Sequence, residues 1–433
     1  MYILKDSLYL FVCSLLFAAC SSGNSEKKIK VVHVDSLSYT QPTPGKIDKA
    51  EFDRYYSAIK DFYNKNLLGR GFNGGILVAK KGTIIFEAYN GYSNYYKKEL
   101  INEHSAFHLA STSKTFTAMA TLKLAELGKL KLNDSLTLYF PGFPYPGVTV
   151  KMLLNHRSGL PNYIYFLHDL GWDETKVSTN KDVLDYLIKF KPPVTHSPDT
   201  RFNYCNTNYA LLALIIEKVS GKSYPEFMQF TFFKPLKMDD TYVFTMAADS
   251  ARAMPSYDWR WRPEVFNFLD GEYGDKNIYS TPRDLLKWDQ ALYNNQLFSK
   301  LTLEEAFTPY SNEKPGIKNY GLGWRMNIYP NGKKIIFHTG WWHGNNAILV
   351  HLIQDSATII VLGNKYNRAV YDSKKIANLF SPYFNTPEEE EDKNENMKEA
   401  LATDEAPDSL QMNKLKFPKI HPPVRRHKRH RSR

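Results

Sequence analysis

Ser111 and Lys114 place a hydroxyl and an amine three residues apart at the start of an apolar-periodic run. On a helix, these two side chains share one face. A serine hydroxyl is a weak nucleophile at neutral pH unless a base lies within hydrogen-bond reach, and a desolvated lysine can supply that base. The spacing therefore predicts a nucleophile beside its proton acceptor. Ser-x-x-Lys alone is not specific, because it recurs at Ser25/Lys28, Ser57/Lys60, Ser178/Lys181 and Ser311/Lys314.

A second group, Tyr204-Cys205-Asn206, precedes a run that is apolar on almost every side. A phenol whose pKa is lowered by a nearby ammonium group can carry a proton between a nucleophile and a leaving group. A packed tyrosine beside a capping asparagine is the alternative interpretation. A loop next to a buried helix holds its side chains in place, and this distinguishes Tyr204 from the other Tyr-x-Asn matches at Tyr92, Tyr293, Tyr310 and Tyr329.

A third group, His338-Thr339-Gly340-Trp341, lies at the end of a strand pattern. Glycine lets a substrate backbone approach closely. The amides of Ser111 and Trp341 can then form an oxyanion hole, in which each donor commonly contributes about 10²- to 10³-fold in rate. Taken alone, His338 would be an ordinary, partly buried histidine.

Helix patterns position the first two groups. From Ser111 the chain is apolar at Phe116, Met119 and Leu124 and reaches Gly128, a residue suited to a left-handed helix end. The pattern from Asn208 to Val219 is apolar nearly all round, which predicts a helix inside a core. Further helices are predicted from Asp48 and at 149–156, 182–190, 281–293 and 372–380.

Strand patterns occur near both ends of the domain. Two β-rich runs, 75–79 and 83–89, flank Lys80-Lys81-Gly82 and predict a hairpin. Later strands are predicted at 334–338, 347–352 and 358–362. The predicted fold class is therefore α+β, an α/β sandwich. Its antiparallel sheet of about five strands is built from both chain ends, is flanked by helices and is interrupted by a large, mostly helical insertion. A cleft between sheet and helices is the expected place for a site.

Together, the three groups resemble the serine β-lactamase and DD-peptidase superfamily, specifically its penicillin-binding, class C-like branch with DD-carboxypeptidases and family VIII esterases. The order Ser-x-x-Lys, Tyr-x-Asn and Lys/His-x-Gly, at wide spacing, carries the resemblance. Four segments outside these groups also match: Leu153 to Pro161, Pro235 to Thr241, Ser280 to Leu285 and Tyr320 to Trp324.

The resemblance implies a β-lactamase/transpeptidase-like serine hydrolase domain over residues 48–385. Its sheet part would be formed by 48–105 and 320–385, and its helical part by 106–319. The expected function is hydrolysis of D-Ala-D-Ala-type peptides or related amides and esters, as in a DD-carboxypeptidase. A family VIII-like carboxylesterase, a weak β-lactamase and a non-catalytic binding or regulatory homologue are the alternatives.

The resemblance also implies roles for individual residues. Ser111 would attack a carbonyl and form an acyl-enzyme, while Lys114 and Tyr204 share the proton transfers. Asn206 would hold Lys114 and bind the substrate amide. No metal or other cofactor is expected. The substrate-binding positions implied in this way are Asn206, His338, Thr339, Gly340 and Trp341.

Three residues depart from the usual pattern. His338 stands where most dedicated β-lactamases have a lysine, and it is mostly neutral at pH 7 unless a neighbour raises its pKa. This favours the peptidase-like and esterase-like relatives over an efficient β-lactamase. Trp341 and Trp342 replace small residues, and we expect two indoles to narrow the cleft and make it apolar. Cys205 stands where serine is usual and is interpreted as a small spacer.

The charge of the chain is concentrated in its tail. The 433 residues carry a net charge of +11, and nine Lys and Arg with no acid lie between Lys414 and Arg433, which leaves +2 for the rest. A basic groove and a nucleic-acid partner are therefore not expected. Residues 386–433, acidic and then basic, are predicted to be disordered. The basic part could bind an anionic envelope surface or have no partner.

The first twenty residues predict export. Lys5 precedes a short apolar run from Leu8 to Ala19, and small residues come before Cys20. This ending resembles a bacterial lipobox, although Phe17 departs from the usual leucine, and a plain signal peptide is the alternative. A lipoprotein signal peptide (1–20), lipidation of Cys20, a flexible tether (21–47) and anchoring in the cell envelope are therefore expected. The mature domain keeps one thiol, that of Cys205, so no internal disulfide can form.

Overall fold

The computed structural model describes residue 37 and residues 39–384. The predicted signal peptide with Cys20, most of the predicted tether and the predicted tail lie outside the described residues. Residues 39–47, the last part of that tether, lie against the domain. The amide of Thr40 donates to the Gln296 side chain at 3.0 Å, and the amide of Gly45 donates to the Lys81 carbonyl at 2.7 Å. Within the described residues, no helix has the length and apolar character to span a membrane.

Seven strands form one antiparallel sheet: β1 (Gly74–Lys80), β2 (Thr83–Asn90), β3 (Lys318–Tyr320), β4 (Arg325–Ile328), β5 (Lys334–Trp342), β6 (Asn345–Leu352) and β7 (Ala357–Gly363). Their order across the sheet is β3-β4-β5-β6-β7-β1-β2, so β1 pairs with β7. The sheet is built from both ends of the domain, as predicted. The prediction of about five strands misses β3 and β4, which are three and four residues long and too short to show a periodic pattern.

Alternate residues of β7 face two separate cores. Ile360 and Leu362 pack with the inserted helices, whereas Ile359 and Val361 pack on the opposite face of the sheet. Because both faces are covered, this strand is a continuous apolar run instead of an alternating one. The second face is covered by α1 (Lys49–Phe62), whose first turn is capped by the Asp48 side chain.

The remaining helices lie mainly in the insertion between β2 and β3. Short antiparallel pairs of strands accompany them, including Phe107–His108 with Ile278–Ser280 and Ser256–Tyr257 with Pro263–Glu264. The helices are α2 (Ser113–Glu126), α3 (Leu136–Tyr139), α4 (Val150–Leu154), α5 (Tyr163–Asp169), α6 (Asn180–Phe190), α7 (Asn206–Ser220), α8 (Tyr224–Met228), α9 (Met246–Asp249), α10 (Pro282–Ala291), α11 (Lys300–Ala306) and α12 (Ala369–Asp372).

Two buried helices at the centre of the insertion carry Lys114 and Asn206 of the predicted site. In α2, every residue from Ser113 to Leu124 is buried, and α7 is buried along most of its length. The helix predicted to begin at Ser111 begins instead at Ser113, because Ala110–Thr112 forms a 3₁₀ turn. The helix predicted near the end of the domain is the short α12, which continues as a 3₁₀ helix over Ser373–Leu379.

Candidate active site

The structure brings Ser111 and Lys114 into direct contact. Lys114 Nζ donates to Ser111 Oγ at 2.9 Å and to the backbone carbonyl of Asp275 at 2.9 Å. Ser111 lies in the turn that precedes α2, and Lys114 is fully buried in the first turn of that helix. The hydroxyl therefore lies within hydrogen-bond reach of the amine that the sequence pairs with it.

The turn before Ser111 is held in an uncommon backbone conformation. Ala110 has φ +48°, a region that side chains rarely adopt. His108 Nδ1 accepts from the Ala110 amide at 3.1 Å, and its Nε2 lies 2.8 Å from Asn277 Oδ1. Burial lowers the pKa of His108 to about 4, so the ring is neutral at pH 7, with Nδ1 as acceptor and Nε2–H as donor. The imidazole thus holds the backbone of Ala110, the residue before Ser111, in place.

Strand β5 lies directly against this turn at Gly340. A Cβ added at Gly340 would lie 2.1 Å from the Leu109 carbonyl oxygen and 3.0 Å from the Ser111 amide nitrogen. The Tyr371 hydroxyl donates to the Gly340 carbonyl at 3.0 Å and anchors the strand from its other side. Glycine is therefore required here by the close approach of two backbones.

Tyr204 lies close to two basic side chains. Its ring centroid is 4.9 Å from Lys114 Nζ and 4.9 Å from the guanidinium carbon of Arg325. The phenol is buried in the loop before α7, as the sequence predicts. The next residue, Cys205, is buried too, and its Sγ faces the carbonyls of Leu160 and Pro161. Burial raises the pKa of the Cys205 thiol to about 11, in keeping with a spacer role.

Asn206 begins α7 and is buried, but its contacts differ from those expected. Its carboxamide oxygen has no hydrogen-bond partner among the described residues. The Asp275 carbonyl accepts a hydrogen bond from the Lys114 amine. The Asn206 oxygen makes no hydrogen bond to Lys114 in this structure, and the expected roles of Asn206 in holding Lys114 and binding a substrate amide stay predictions.

His338 on β5 is fully buried and neutral. Burial lowers its pKa well below the usual value, and the charges of Arg325 and Lys114 lower it further. Its Nδ1 lies 2.7 Å from the Thr339 carbonyl oxygen, so Nδ1 must carry the proton. Nε2 then accepts from the Tyr320 hydroxyl at 3.2 Å. His338 therefore cannot supply the fixed positive charge of a lysine.

Three residues near the site were not identified from the sequence. Arg325 directly follows the family-like segment that ends at Trp324, so its position was a usable signal. Its guanidinium stacks on Tyr204, and its Nε is buried without a partner among the described residues. His156, at φ +58°, accepts from the Cys205 amide at 3.2 Å. Asp275 contacts Lys114 through its carbonyl, which no side-chain pattern reveals.

The two tryptophans after Gly340 lie on opposite faces of β5. Trp341 is half-buried, its ring lies 5.6 Å from that of Tyr366, and its Nε1 donates to the His343 carbonyl. Trp342 is buried on the strand face that also carries Ile336 and Gly340, among residues of the inserted helices, and its Nε1 donates to Asp270 at 2.6 Å. The expectation that both indoles narrow the cleft stays a prediction.

This arrangement combines the groups needed for acyl transfer. A buried serine is in contact with an amine, a phenol lies beside that amine, and a glycine strand packs on the backbone of the serine. Within the part of the chain that the structure describes, no group of three or more His, Cys, Asp or Glu side chains could hold a metal ion. The chemistry available from these residues is nucleophilic catalysis assisted by general acid–base transfer.

Comparisons with known proteins agree with this geometry. The Beta-lactamase family matches residues 65–383. Penicillin-binding protein 4* of Bacillus subtilis (strain 168) is 34% identical over 342 residues, which cover 74% of this chain and 75% of that protein. A penicillin binding protein from Bacillus halodurans superimposes with a TM-score of 0.65 at 23% identity, over 73% of this chain and 98% of that structure.

The D-amino acid amidase from Ochrobactrum anthropi SV3, solved with D-phenylalanine, has the same fold. Its TM-score is 0.60 at 22% identity, over 79% of this chain and 99% of that structure. The family match spans most of the chain, and the Bacillus subtilis relative matches it across most of both sequences. The chain belongs to the β-lactamase family, within the serine β-lactamase and DD-peptidase superfamily, and it is a serine hydrolase.

Proposed function

We propose that the protein is a DD-carboxypeptidase-like hydrolase that acts on D-Ala-D-Ala-type peptides through an acyl-enzyme on Ser111. Ser111 Oγ attacks the peptide carbonyl, and its proton passes to Lys114 Nζ, 2.9 Å away. Tyr204, beside that amine, delivers a proton to the leaving nitrogen. The amides of Ser111 and Trp341 stabilise the oxyanion, and water then releases the acyl group. The name of the 34% identical Bacillus subtilis relative, Penicillin-binding protein 4*, supports this choice.

Arg325 is the observation that favours a peptide ending in a carboxylate. In this site His338 is neutral, so the histidine cannot bind a carboxylate as a fixed cation. The Arg325 guanidinium lies against Tyr204, and its buried Nε has no partner among the described residues. A guanidinium suits a carboxylate because it presents donors in a planar fork. We infer that the terminal carboxylate of the substrate binds Arg325 beside the leaving group.

The test compares diacetyl-L-Lys-D-Ala-D-Ala with the same peptide carrying a C-terminal amide. Charge-assisted hydrogen bonds are worth about 1.5–3 kcal/mol, so wild type should prefer the acid by about 10- to 100-fold in kcat/KM. Arg325→Gln should lose that preference. Arg157→Gln is the control, since Arg157 is a structural arginine paired with Asp199 and Glu313, and it should keep the preference. Equal hydrolysis of acid and amide by wild type would contradict the role of Arg325.

A carboxylesterase with the same acyl-enzyme chemistry is the competing function. It is favoured by the neutral His338 and by the half-buried indole of Trp341 at the end of the strand. Intact-mass analysis after incubation with benzylpenicillin and, separately, with a p-nitrophenyl ester separates the two. A penicillin adduct on Ser111 that is absent in Ser111→Ala supports the peptidase. Ester turnover without D-Ala release or an adduct supports the esterase, and no reaction with either reagent by folded protein would refute both.

We also propose that the protein is exported and anchored in the bacterial envelope through a lipid on Cys20. The support is the sequence alone: Lys5, the apolar run from Leu8 to Ala19 and the small residues before Cys20. Fractionation of cells that express the full chain should place it with membranes, and Cys20→Ser should release it. Deletion of 414–433 tests the basic tail. If the tail binds an anionic surface, the truncated chain should be retained in the envelope less well than the full chain at low salt.

A further inference from the structure

A cluster of buried charges lies directly behind Lys114. Glu272, Asp275 and Lys276 have side chains that are 0%, 2% and 4% exposed. Lys276 Nζ lies 3.1 Å from Glu272 Oε2 and 3.7 Å from Asp275 Oδ2. The cluster lies in the loop that leads into the strand Ile278–Ser280. It does not belong to any of the three groups of residues that were identified in the sequence.

Hydrogen bonds connect this cluster to the nucleophile in a continuous chain. Lys276 Nζ donates to the Tyr163 hydroxyl, which donates to Asp275 Oδ2 at 2.8 Å. The backbone carbonyl of the same Asp275 accepts from Lys114 Nζ, which donates to Ser111 Oγ. Lys276 therefore contacts the side chain of Asp275, and Lys114 contacts the main-chain carbonyl of the same residue.

Stability alone gives a weak reason for this arrangement. Buried ion pairs often contribute no more than an apolar replacement of similar volume, because each charge loses its hydration. The paired carboxylates of Asp275 and Glu272 outweigh that cost for Lys276, whose pKa is raised, so its ammonium stays charged. A charged group that several partners hold has a fixed position and orientation. A residue that positions a catalytic group needs this property.

We propose that Lys276 is a positioning residue: through Tyr163 and Asp275 it fixes the carbonyl that holds Lys114 against Ser111. This inference rests on the proposed function, because it takes Ser111 as the nucleophile. Lys276 touches neither substrate nor reacting atoms and acts only through the geometry of Lys114. A displacement of the amine by a fraction of an ångström should slow the reaction with Ser111 while leaving the binding of a probe intact.

The test measures phosphonylation of Ser111 by an ethoxy fluorophosphonate, which does not depend on the physiological substrate. In this reaction the Oγ–P bond forms as fluoride leaves, and the hydroxyl proton passes to Lys114. Intact-mass time courses at several probe concentrations give the maximal rate constant and the half-saturating concentration separately. The variants are Tyr163→Phe, which removes one hydroxyl of the chain, and the double variant Glu272→Gln/Lys276→Met, which removes the carboxyl group and the ammonium group together.

We expect the maximal rate constant to fall about tenfold in the double variant and less in Tyr163→Phe, with the half-saturating concentration unchanged. The matched control is Lys123→Met. Lys123 is a buried lysine of α2 that pairs with Glu126 at 2.9 Å, outside the contacts of Ser111. It should lower the melting temperature without changing the rate constant, as a purely structural lysine would.

The outcomes separate the inference from the function on which it rests. If wild type is not labelled at Ser111, the proposed function and this inference both fail. If wild type is labelled and folded Tyr163→Phe and the double variant react at its rate, the inference alone fails. A double variant that does not fold leaves the decision to Tyr163→Phe, which keeps every charge of the cluster.

Discussion

Acidification should destabilise the fold through His108, three residues before Ser111. The ring is buried and neutral, accepts from the Ala110 amide and donates to Asn277. Protonation would give Nδ1 a hydrogen and convert this acceptor into a donor that faces another N–H. The folded protein therefore resists protonation of His108, whereas the unfolded chain does not. Acid thus acts on the turn that carries the nucleophile.

The size of the effect follows from the pKa shift. The pKa of His108 falls from 6.5 to about 4 on folding, chiefly because burial disfavours the charged ring. In this window the unfolded state binds more protons, so stability is present above pH 6.5 and is lost as the pH falls toward 4. At about 1.4 kcal/mol per unit of pKa shift, His108 alone removes about 2 kcal/mol between pH 7.5 and 5.

The assay is urea unfolding of wild type and His108→Asn at a series of pH values from 7.5 to 5. Asparagine keeps an acceptor for the Ala110 amide and cannot be protonated. Other groups titrate as well: the pKa of His343 is raised by Asp270, for example, so that pair loses stability as the pH rises. The comparison cancels these contributions, and the variant should lose about 2 kcal/mol less than wild type. Equal losses of unfolding free energy in wild type and His108→Asn between pH 7.5 and 5 would contradict this role of His108.

Three further changes have defined outcomes. Gly340→Ala should remain folded but lose about 100-fold or more in Ser111 acylation rate, since its Cβ would meet the Leu109 carbonyl at 2.1 Å; an acylation assay on folded protein checks this. The Cys205 thiol, with its pKa raised to about 11, should react with iodoacetamide at pH 8 only after unfolding, as followed by peptide mapping. Asp289→Ala should cost about 3 kcal/mol in urea unfolding and leave kcat unchanged, because the buried His351 loses the carboxylate that lies 2.8 Å from its Nδ1.

The sequence predicts those parts of the fold that local patterns encode. The hairpin of β1 and β2 has its two β-rich runs and turn within one short stretch, and α7 has an unbroken apolar run. Each element therefore matches its prediction within a few residues. In contrast, β3 and β4 are recognised only by their pairing, β3 with β4 and β4 with β5. Three or four residues carry too little periodic pattern to predict strands as short as these.

The same distinction holds in the site. Ser111, Lys114 and Tyr204 were found because a hydroxyl, an amine and a phenol at fixed spacings have a chemical meaning by type. The contact of the Asp275 carbonyl with Lys114 was not predicted, because every residue has a backbone carbonyl. Only the folded conformation of the loop determines which carbonyl accepts from the amine. Trp341 and Trp342 were not assigned to opposite faces of the strand, because their positions were read without the pleat, which reverses the direction of the side chain at each residue.

The neutral state of His338 follows from electrostatics within the site. A charged imidazole there would lose its hydration and would lie near Lys114 and the Arg325 guanidinium, so its pKa is lowered by burial and by both neighbours. The neutral imidazole avoids this repulsion and still bridges the Thr339 carbonyl and the Tyr320 hydroxyl. In the proposed mechanism Arg325 on β4 is the cation that binds the substrate carboxylate, and its side chain is only half-buried and keeps part of its hydration. A carboxylate bound there would lie on the Tyr204 side of the cleft, next to the phenol that we propose to protonate the leaving group.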